Sequence, residues 1–291
     1  MILRMRASDS SAGMPRSVLI SMSWTRRAEL DTSSEAGYQP ADATTRSEPR
    51  IALTSMETFS QFKEDVLVWE FFGRKPSGFF VEVGANDPVL FSQTWLLEQQ
   101  GWRGILVEPL SSRCERLRGM RARSKVFQVA VGSPEERGEM VLHVTADDMF
   151  SSLQARERGP SETGQETVTV TTLDDVLAEA GGPAVDFLSI DVEGMEISVL
   201  KGFSLERVRP KLVLVEDHLK CLSLHRHLSG RGYKLVKRTG CNNWYIPHGL
   251  PFPFTTVPER LALFKRIWFH TPLAVVREWL RGVRKRLKST A

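Results

Sequence analysis

The hydrophobic and polar positions follow regular spacings from residue 56 onward. Short apolar runs predict buried strands, whereas apolar residues three or four positions apart predict helices with one buried face. The predicted strands are 79–83, 104–107, 125–131, 187–191 and 212–215, and the predicted helices are 62–72, 92–100, 111–121, 173–180, 195–201 and 219–229. Because strands and helices alternate, the pattern predicts an α/β fold with helices on both faces of a mostly parallel sheet.

Another group of strands shows strict alternation of apolar and polar residues. The segments 139–144 and 167–172 predict two further strands, and the polar stretch 147–165 between them is interpreted either as a mobile lid or as an ordinary surface loop. Further on, 233–237 and 244–246 predict a closing antiparallel pair. The predicted fold class is α/β with a Rossmann-like, doubly wound, mostly parallel sheet and an antiparallel closing strand.

The two ends of the chain differ from this periodic region, which we assign to a domain at 56–250. Residues 1–55 are rich in Ser, Thr, Ala and Arg without apolar periodicity, and they predict a disordered extension. Their composition is typical of a transit peptide, but six acidic residues argue against one, and a true start near Met56 is an equal alternative. Residues 251–291 predict basic amphipathic helices that Pro272 divides in two.

The net charge of +4 is unevenly distributed. Residues 259–291 hold nine Lys and Arg against two Glu, whereas the region between residue 50 and this segment is net acidic. An acidic core argues against nucleic acid as a partner. The basic helices of 259–291 are interpreted either as a peripheral membrane or partner contact, or as helices packed on their own domain.

No run of about 18 apolar residues suggests a transmembrane helix, and no apolar segment near the start resembles a signal peptide. The three cysteines, Cys114, Cys221 and Cys241, are too few and too scattered for a disulfide framework or a zinc site. These features predict a cytoplasmic protein, with peripheral membrane contact through the basic segment as a further option.

The turn after the first predicted strand, in the sequence VEVGANDPVL, has one glycine where dinucleotide loops have three. Asp87 is a good helix N-cap and Pro88 suits the first helical position, so we expect a helix to start here. Gly84 and Ala85 permit close backbone approach by a ligand that lacks phosphates. S-adenosylmethionine is such a ligand, and Glu82 is placed to reach its ammonium group.

A carboxylate ends the second predicted strand. Glu108 lies where the ribose of an adenosine cofactor would place its two hydroxyl donors, and a carboxylate offers two acceptor oxygens. An acid at this position also occurs in nicotinamide sites, so the missing glycines favour S-adenosylmethionine. The residues predicted to bind the cofactor are Glu82, Gly84, Ala85, Asn86, Glu108, Pro109, Gln128 and Asp191.

Several sequence blocks in a fixed order carry a family resemblance. The blocks SQFKEDVLVWEFF, FFVEVGANDPVLFSQTWLLEQQGWRGILVEP, FSSL, VDFLSIDVEGMEISVLKGF and RPKLVLVED resemble the FkbM family of S-adenosylmethionine-dependent methyltransferases. The resemblance spans about 60–246 and implies a class I methyltransferase fold, with O-methylation of a sugar or secondary-metabolite hydroxyl. The related sugar methyltransferases are often oligomers, so a homo-oligomer is one option, although the sequence does not determine the oligomeric state. The two ends of the chain lie outside the resemblance.

A group of acids follows the later strands. Related natural-product sugar O-methyltransferases bind magnesium through an Asp after one strand and an acidic pair after the next, which match Asp191, Glu216 and Asp217. Oxygen ligands suit a hard cation that lowers the pKa of a substrate hydroxyl. Glu193 or His218 is the predicted general base. Two alternatives stand: the acids only cap a helix, or they orient the hydroxyl without a metal.

The predicted function is S-adenosylmethionine-dependent O-methylation of a hydroxyl on a sugar, glycan or other small metabolite, with magnesium as a second cofactor in the metal-assisted form. A nicotinamide-dependent oxidoreductase is one alternative, and it would need a phosphate-binding loop that the sequence lacks. The other is a non-catalytic scaffold of the same fold that binds a membrane or partner through 259–291.

Overall fold

A computed structural model describes residues 57–145, 162–217, 222–273 and 276. The strands in this part of the chain are β1 (Phe79–Val83), β2 (Arg103–Val107), β3 (Ser124–Phe127), β4 (Ala130–Val131), β5 (Gly138–Thr145), β6 (Glu162–Thr171), β7 (Phe187–Ile190), β8 (Leu212–Glu216), β9 (Tyr233–Thr239) and β10 (Asn242–Pro247). The α-helices are α1 (Glu64–Phe71), α2 (Trp95–Gln99), α3 (Ser111–Met120), α4 (Leu173–Glu179), α5 (Glu196–Lys201), α6 (Leu205–Val208), α7 (Ser223–Ser229) and α8 (Val257–Lys265).

Seven of the strands form one sheet in the order β3-β2-β1-β7-β8-β10-β9. The first five in this order are parallel to one another, and β10 pairs antiparallel with both β8 and β9. This topology confirms the predicted α/β class with an antiparallel closing pair. The strand order reverses direction between β1 and β7, and ligands of such sheets bind at the carboxyl ends of the strands beside this reversal.

The apolar strands are buried on both faces because helices cover each side of the sheet. Val81 and Ile105 point to one face, where they join Leu177 of α4 and Val199 of α5. Phe80 points to the other face. Since side chains alternate along a strand, a short continuous apolar run fills both cores, which explains why these strands lack a polar face.

The predicted strand 125–131 is two strands in different sheets. β3 ends at Phe127 in the central sheet, while β4 pairs with β6 in a second sheet of order β4-β6-β5. β6 begins at Glu162, so the end of the predicted loop 147–165 is strand; residues 146–161, which carry the proposed lid, lie outside the described residues.

The prediction that Asp87 and Pro88 start a helix is wrong. The Asp87 carboxylate accepts hydrogen bonds from the backbone N–H groups of Val89 and Leu90 at 2.9 and 2.8 Å, but it closes a turn, and α2 begins only at Trp95. An aspartate that bonds its own backbone two and three residues on stabilises a turn as well as a helix start. The chain between β1 and α2 is therefore a long loop over the end of the sheet.

The predicted break at Pro272 is also wrong within the described residues. A π-helical turn, Arg266–His270, follows α8 directly, and residues 271–273 remain helical. The Thr271 N–H donates to the Arg266 carbonyl five residues earlier. The helix has therefore already changed from the α to the π hydrogen-bond pattern directly before Pro272. No described helix is long and apolar enough to cross a membrane.

Candidate active site

A cavity of about 310 Å³ lies at the carboxyl ends of β1, β2, β7 and β8. Each of these strands or the residue after it contributes a lining residue, namely Gly84, Glu108, Asp191 and Glu216. The location is the one that the reversal of strand order predicts for a ligand. Of the residues predicted to bind the cofactor, seven line this cavity; they are Glu82, Gly84, Ala85, Asn86, Glu108, Pro109 and Asp191.

Gly84 allows two loops to meet at the floor of the cavity. Its φ is +82°, and a Cβ at this position would lie 1.8 Å from the backbone oxygen of Asp191. The N–H groups of Gly84 and Ala85 both donate to the Val107 carbonyl, at 2.9 and 3.1 Å. Only glycine satisfies the positive φ and the close approach together. The loops after β1 and β7 are thus held against each other.

Glu108 is a buried carboxylate that the backbone orients. Its Oε2 accepts from the Asn86 N–H and its Oε1 from the Leu110 N–H, both at 3.0 Å. Burial raises the pKa of Glu108, although these two hydrogen bonds and nearby Arg113 oppose the rise. Each carboxylate oxygen has a second acceptor site. Glu108 can therefore accept further hydrogen bonds from a diol that enters the cavity.

Glu82 lies in a dense hydrogen-bond network at the start of the long loop. Its carboxylate accepts from the Thr94 hydroxyl at 2.5 Å and from the Gln93 N–H at 2.9 Å, and the Arg121 guanidinium is 3.8 Å away. Burial raises the pKa of Glu82, and the charge of Arg121 counteracts it. Glu82 ties β1 to the approach to α2 while it lines the cavity; its contact with an ammonium group stays a prediction.

Three carboxylates converge beside the ends of β7 and β8, at the end of the cavity away from Glu108. Asp191, Glu193 and Glu216, which we call the acid cluster, each offer an oxygen within 4.8 Å of the others. Asp191 is exposed to solvent in the open cavity, while protein atoms crowd its carboxylate and remove part of its hydration. This loss of solvent, followed by the charge of Glu216, raises the pKa of Asp191 well above its ordinary value. The same surroundings raise the pKa of Cys241 to about 12.

The backbone after β7 brings Glu193 into this cluster. Glu193 has a φ of +56° and Gly194 a φ of +107°, so the chain reverses tightly before α5. The Gly194 N–H donates to the Glu196 carboxylate at 2.8 Å, so Glu196 binds the turn before α5. A non-glycine residue at positive φ is uncommon and is concentrated at functional sites.

The predicted metal set differs from the acid cluster at one position. Asp217 is not part of the cluster, and Glu193 takes the third place. Adjacent residues of an extended chain point to opposite sides, so Glu216 and Asp217 cannot both face the cavity. The charge of Asp217 instead acts on Tyr245, His225 and Arg238. His218, the second predicted base, lies outside the described residues.

Two further differences concern residues beside the cavity. Gln128 is exposed and does not line the cavity, whereas its neighbours Val129 and Ala130 do. Cys241 lines the cavity although it lies far from the acids in sequence. Its position follows from the antiparallel pairing of Asn242 with Glu216, a long-range register that no local pattern displays.

Fold and site together define a Rossmann-like protein, in which a doubly wound sheet presents a ligand cavity at its strand ends. Sequence comparison gives the family. The model of the methyltransferase FkbM domain matches residues 82–235, more than half of this 291-residue chain. The chain belongs to this family and is an S-adenosylmethionine-dependent methyltransferase. This result confirms the predicted family and activity, and it excludes the oxidoreductase alternative.

Three solved structures are similar to this chain at low sequence identity. A precorrin-6y C5,15-methyltransferase from Geobacter metallireducens GS-15 is 10% identical, with a TM-score of 0.35 over 66% of this chain and 91% of that one. Cofactor-bound Rv0187 from MTB is 14% identical, with a TM-score of 0.36 over 68% and 83%. A methyltransferase from Geobacter sulfurreducens is 14% identical, with a TM-score of 0.35 over 65% and 80%. No curated protein matches the sequence.

Proposed function

We propose that the chain transfers a methyl group from S-adenosylmethionine to a hydroxyl of a sugar or glycosylated metabolite, at the acid cluster. The observation that carries this proposal is the convergence of Asp191, Glu193 and Glu216 at one end of the cavity whose other end presents Glu108. One end suits an adenosine cofactor, and the other suits an acceptor that must lose a proton.

The charges around the cavity support this cofactor. The acidic residues that line it are Glu82, Glu108, Asp191, Glu193 and Glu216, and Arg113 is the basic residue among the described lining residues. A strongly acidic wall favours a ligand with sulfonium and ammonium charges and disfavours a pyrophosphate. The loop at Gly84 also lacks the glycines that bring several bare N–H groups to a phosphate.

The positions of these residues indicate which part of the cofactor each of them would contact. Glu108 would accept hydrogen bonds from the ribose hydroxyls, and the backbone of Gly84 and Ala85 would lie against the amino-acid portion of the cofactor. The bound cofactor supplies an activated methyl group. The protein must hold the acceptor oxygen in line with that group, and such positioning alone contributes much of the rate in a bimolecular transfer.

Proton removal falls to the acid cluster. Glu193 is the carboxylate of the cluster that the tight turn before α5 projects into the cavity, and it would accept the proton of the acceptor hydroxyl. Asp191 and Glu216 would orient that hydroxyl by accepting or sharing hydrogen bonds. General-base assistance of this kind contributes roughly 100- to 10,000-fold to a rate.

The acid cluster also fits a divalent cation. Three carboxylates within 4.8 Å of one another form an oxygen-only donor set, which suits magnesium or another hard cation. Asp191, Glu193 and Glu216 would hold the ion, whose charge would offset their mutual repulsion and lower the pKa of the acceptor hydroxyl. In the metal-free form of the proposal, the same three side chains orient and deprotonate the acceptor unaided.

The test combines cofactor binding with an acceptor survey. Calorimetry with S-adenosylhomocysteine should show binding to the full chain, and mass spectrometry should find one added methyl group on members of a panel of glycosides and nucleotide sugars. Binding together with methylation of only amine or thiol acceptors would contradict the hydroxyl assignment. A rate that chelator lowers and magnesium restores supports the metal form, and a rate that neither changes supports the metal-free form.

A further inference from the structure

The described residues of the C-terminal helix present a row of exposed apolar side chains. Each is more than half exposed; they are Val257, Leu261, Phe264, Trp268, Phe269, Leu273 and Val276, which we call the C-terminal face. Phe264 lies 6.2 Å, between ring centroids, from both Trp268 and Phe269. The rings therefore form a surface cluster rather than scattered single residues, and such patches commonly mark interaction sites.

The π-helical turn keeps this face on one side. A π-turn contains one more residue than an α-turn, and it therefore rotates the residues that follow it by about 100° relative to an uninterrupted α-helix. Without this rotation, Phe269 and Leu273 would leave the side that Leu261 and Phe264 occupy. The turn at Arg266–His270 thus extends the apolar row beyond α8.

The opposite side of α8 is fastened to the domain. The Lys237 ammonium donates to the Glu259 carboxylate at 2.6 Å and to the Phe254 carbonyl at 3.0 Å, and the Thr256 N–H donates to Glu259 at 2.7 Å. These contacts join the start of the helix to β9. The helix cannot roll over to bury its aromatic side chains against its own domain without breaking them.

The charges beside the C-terminal face indicate what covers it. Arg260 and Lys265 are exposed on α8, and the sequence that follows, 277–291, which lies outside the described residues, contains six Lys and Arg against one Glu. Two copies of this surface would bring like charges together, which disfavours a self-association through this face. A negatively charged partner fits instead, and the combination of Trp, Phe and Leu with flanking Lys and Arg is typical of a helix that lies in the interface of an anionic bilayer.

We propose that the C-terminal face docks on an anionic lipid surface. Leu261, Phe264 and Trp268 enter the boundary between headgroups and acyl chains, while Arg260 and Lys265 pair with lipid phosphates. The turn at Gly240, whose neighbour Cys241 lines the cavity, lies beside this helix.

Vesicle flotation tests this proposal with the full chain. Wild-type protein should float with phosphatidylcholine vesicles that contain phosphatidylglycerol, much less with phosphatidylcholine alone, and less at high salt. The double variant Phe264→Ser with Trp268→Ser should lose at least about tenfold in affinity for the anionic vesicles because its apolar insertion is removed. The matched control is Met120→Ser with Val141→Ser, which removes two exposed apolar side chains elsewhere and should bind like wild type.

A second variant separates the contribution of the basic side chains to lipid binding from that of the inserted apolar side chains. Arg260→Glu with Lys265→Glu leaves the apolar row intact and should also abolish binding to anionic vesicles. Circular dichroism and S-adenosylhomocysteine binding check that every variant is folded. The proposal is overturned if wild type does not float with anionic vesicles, or if the serine variant floats as well as wild type. It is equally overturned if wild type is a dimer that the serine substitutions dissociate while vesicle binding is absent.

Discussion

The backbone N–H of Asn86 donates to the Glu108 carboxylate at 3.0 Å, which joins the loop after β1 to the end of β2. The bond fixes both the loop and the carboxylate in the cavity. Asn86 adopts a φ of +51°, a conformation that asparagine tolerates better than most residues. The loop with one glycine is thus shaped by an asparagine and a glutamate in addition to Gly84.

Replacement of Glu108 should weaken cofactor binding. Glu108→Ala removes the acceptors for the ribose and for two backbone N–H groups, and we expect S-adenosylhomocysteine affinity to fall at least about tenfold, since a hydrogen bond to a charged group is worth about 1.5–3 kcal/mol. Glu108→Gln should also bind weakly, because its amide group places a donor against the Asn86 or Leu110 N–H. Unchanged affinity in calorimetry of both variants would remove the ribose assignment.

Gly84→Ala should disrupt the junction between the loops after β1 and β7. The added Cβ meets the Asp191 backbone oxygen, so the loops must separate, and we expect the free energy of unfolding to fall by more than about 1 kcal/mol, the usual cost of a strained φ alone. Gly181→Ala is the matched control, because Gly181 has a φ of +88° with open space around its Cβ position. Equal losses for the two variants in urea denaturation would show that the contact with Asp191 is unimportant.

Arg121 should be essential for stability. It is fully buried, its Nε donates to Glu98 at 2.7 Å, and it also faces Glu82. Arg121→Met leaves two buried carboxylates without their counter-charge, so we expect a loss of about 3–5 kcal/mol in denaturant unfolding. Arg116→Met, which breaks the exposed pair with Asp87, should cost less than about 1 kcal/mol. A small effect of Arg121→Met would contradict the role assigned to this network.

The acid cluster should make the folded protein less stable as the pH rises. The pKa of Asp191 is raised above 3.8 in the folded state, so its contribution to stability is complete below pH 3.8 and is lost as the pH rises through the raised value. Asp191→Asn should therefore have a higher Tm than wild type at neutral pH, with the difference vanishing in acid.

Asp175 provides a control of opposite sign. Hydrogen bonds, first from Thr172, lower the pKa of Asp175 to about 2, so its contribution is present above pH 3.8 and is lost as the pH falls through about 2. Asp175→Asn should then lower the Tm at neutral pH. A Tm for Asp191→Asn at or below that of wild type at neutral pH would contradict the raised pKa of Asp191 in the folded state.

Much of the fold could be predicted because its signals are local. The strands that end at Val83, Val107 and Ile190 were recognisable as short apolar runs, and strand ends in a parallel sheet meet at one edge. Glu108 and Asp191 were therefore placed correctly beside the cavity from sequence alone. The start of α2 was not, because Asp87 stabilises a turn and a helix start by the same hydrogen bonds.

The rest of the site depends on long-range geometry. Whether Glu216 or Asp217 faces the cavity depends on the register of β8, and a shift of one residue exchanges them. Cys241 reaches the cavity only through the pairing of β10 with β8, and Glu193 joins the cluster through a positive φ that its residue type does not favour. Sequence spacing alone predicts none of these three features of the site.

The rate of methyl transfer by Glu193→Gln, at saturating cofactor, tests the central claim most directly. Glutamine keeps the size of the side chain and one acceptor oxygen, but it cannot accept the hydroxyl proton. We predict that wild type forms an O-methyl product, and that Glu193→Gln loses at least about 100-fold in rate with unchanged affinity for S-adenosylhomocysteine. An undiminished rate in this variant, or a product methylated on nitrogen or sulfur, would contradict the account.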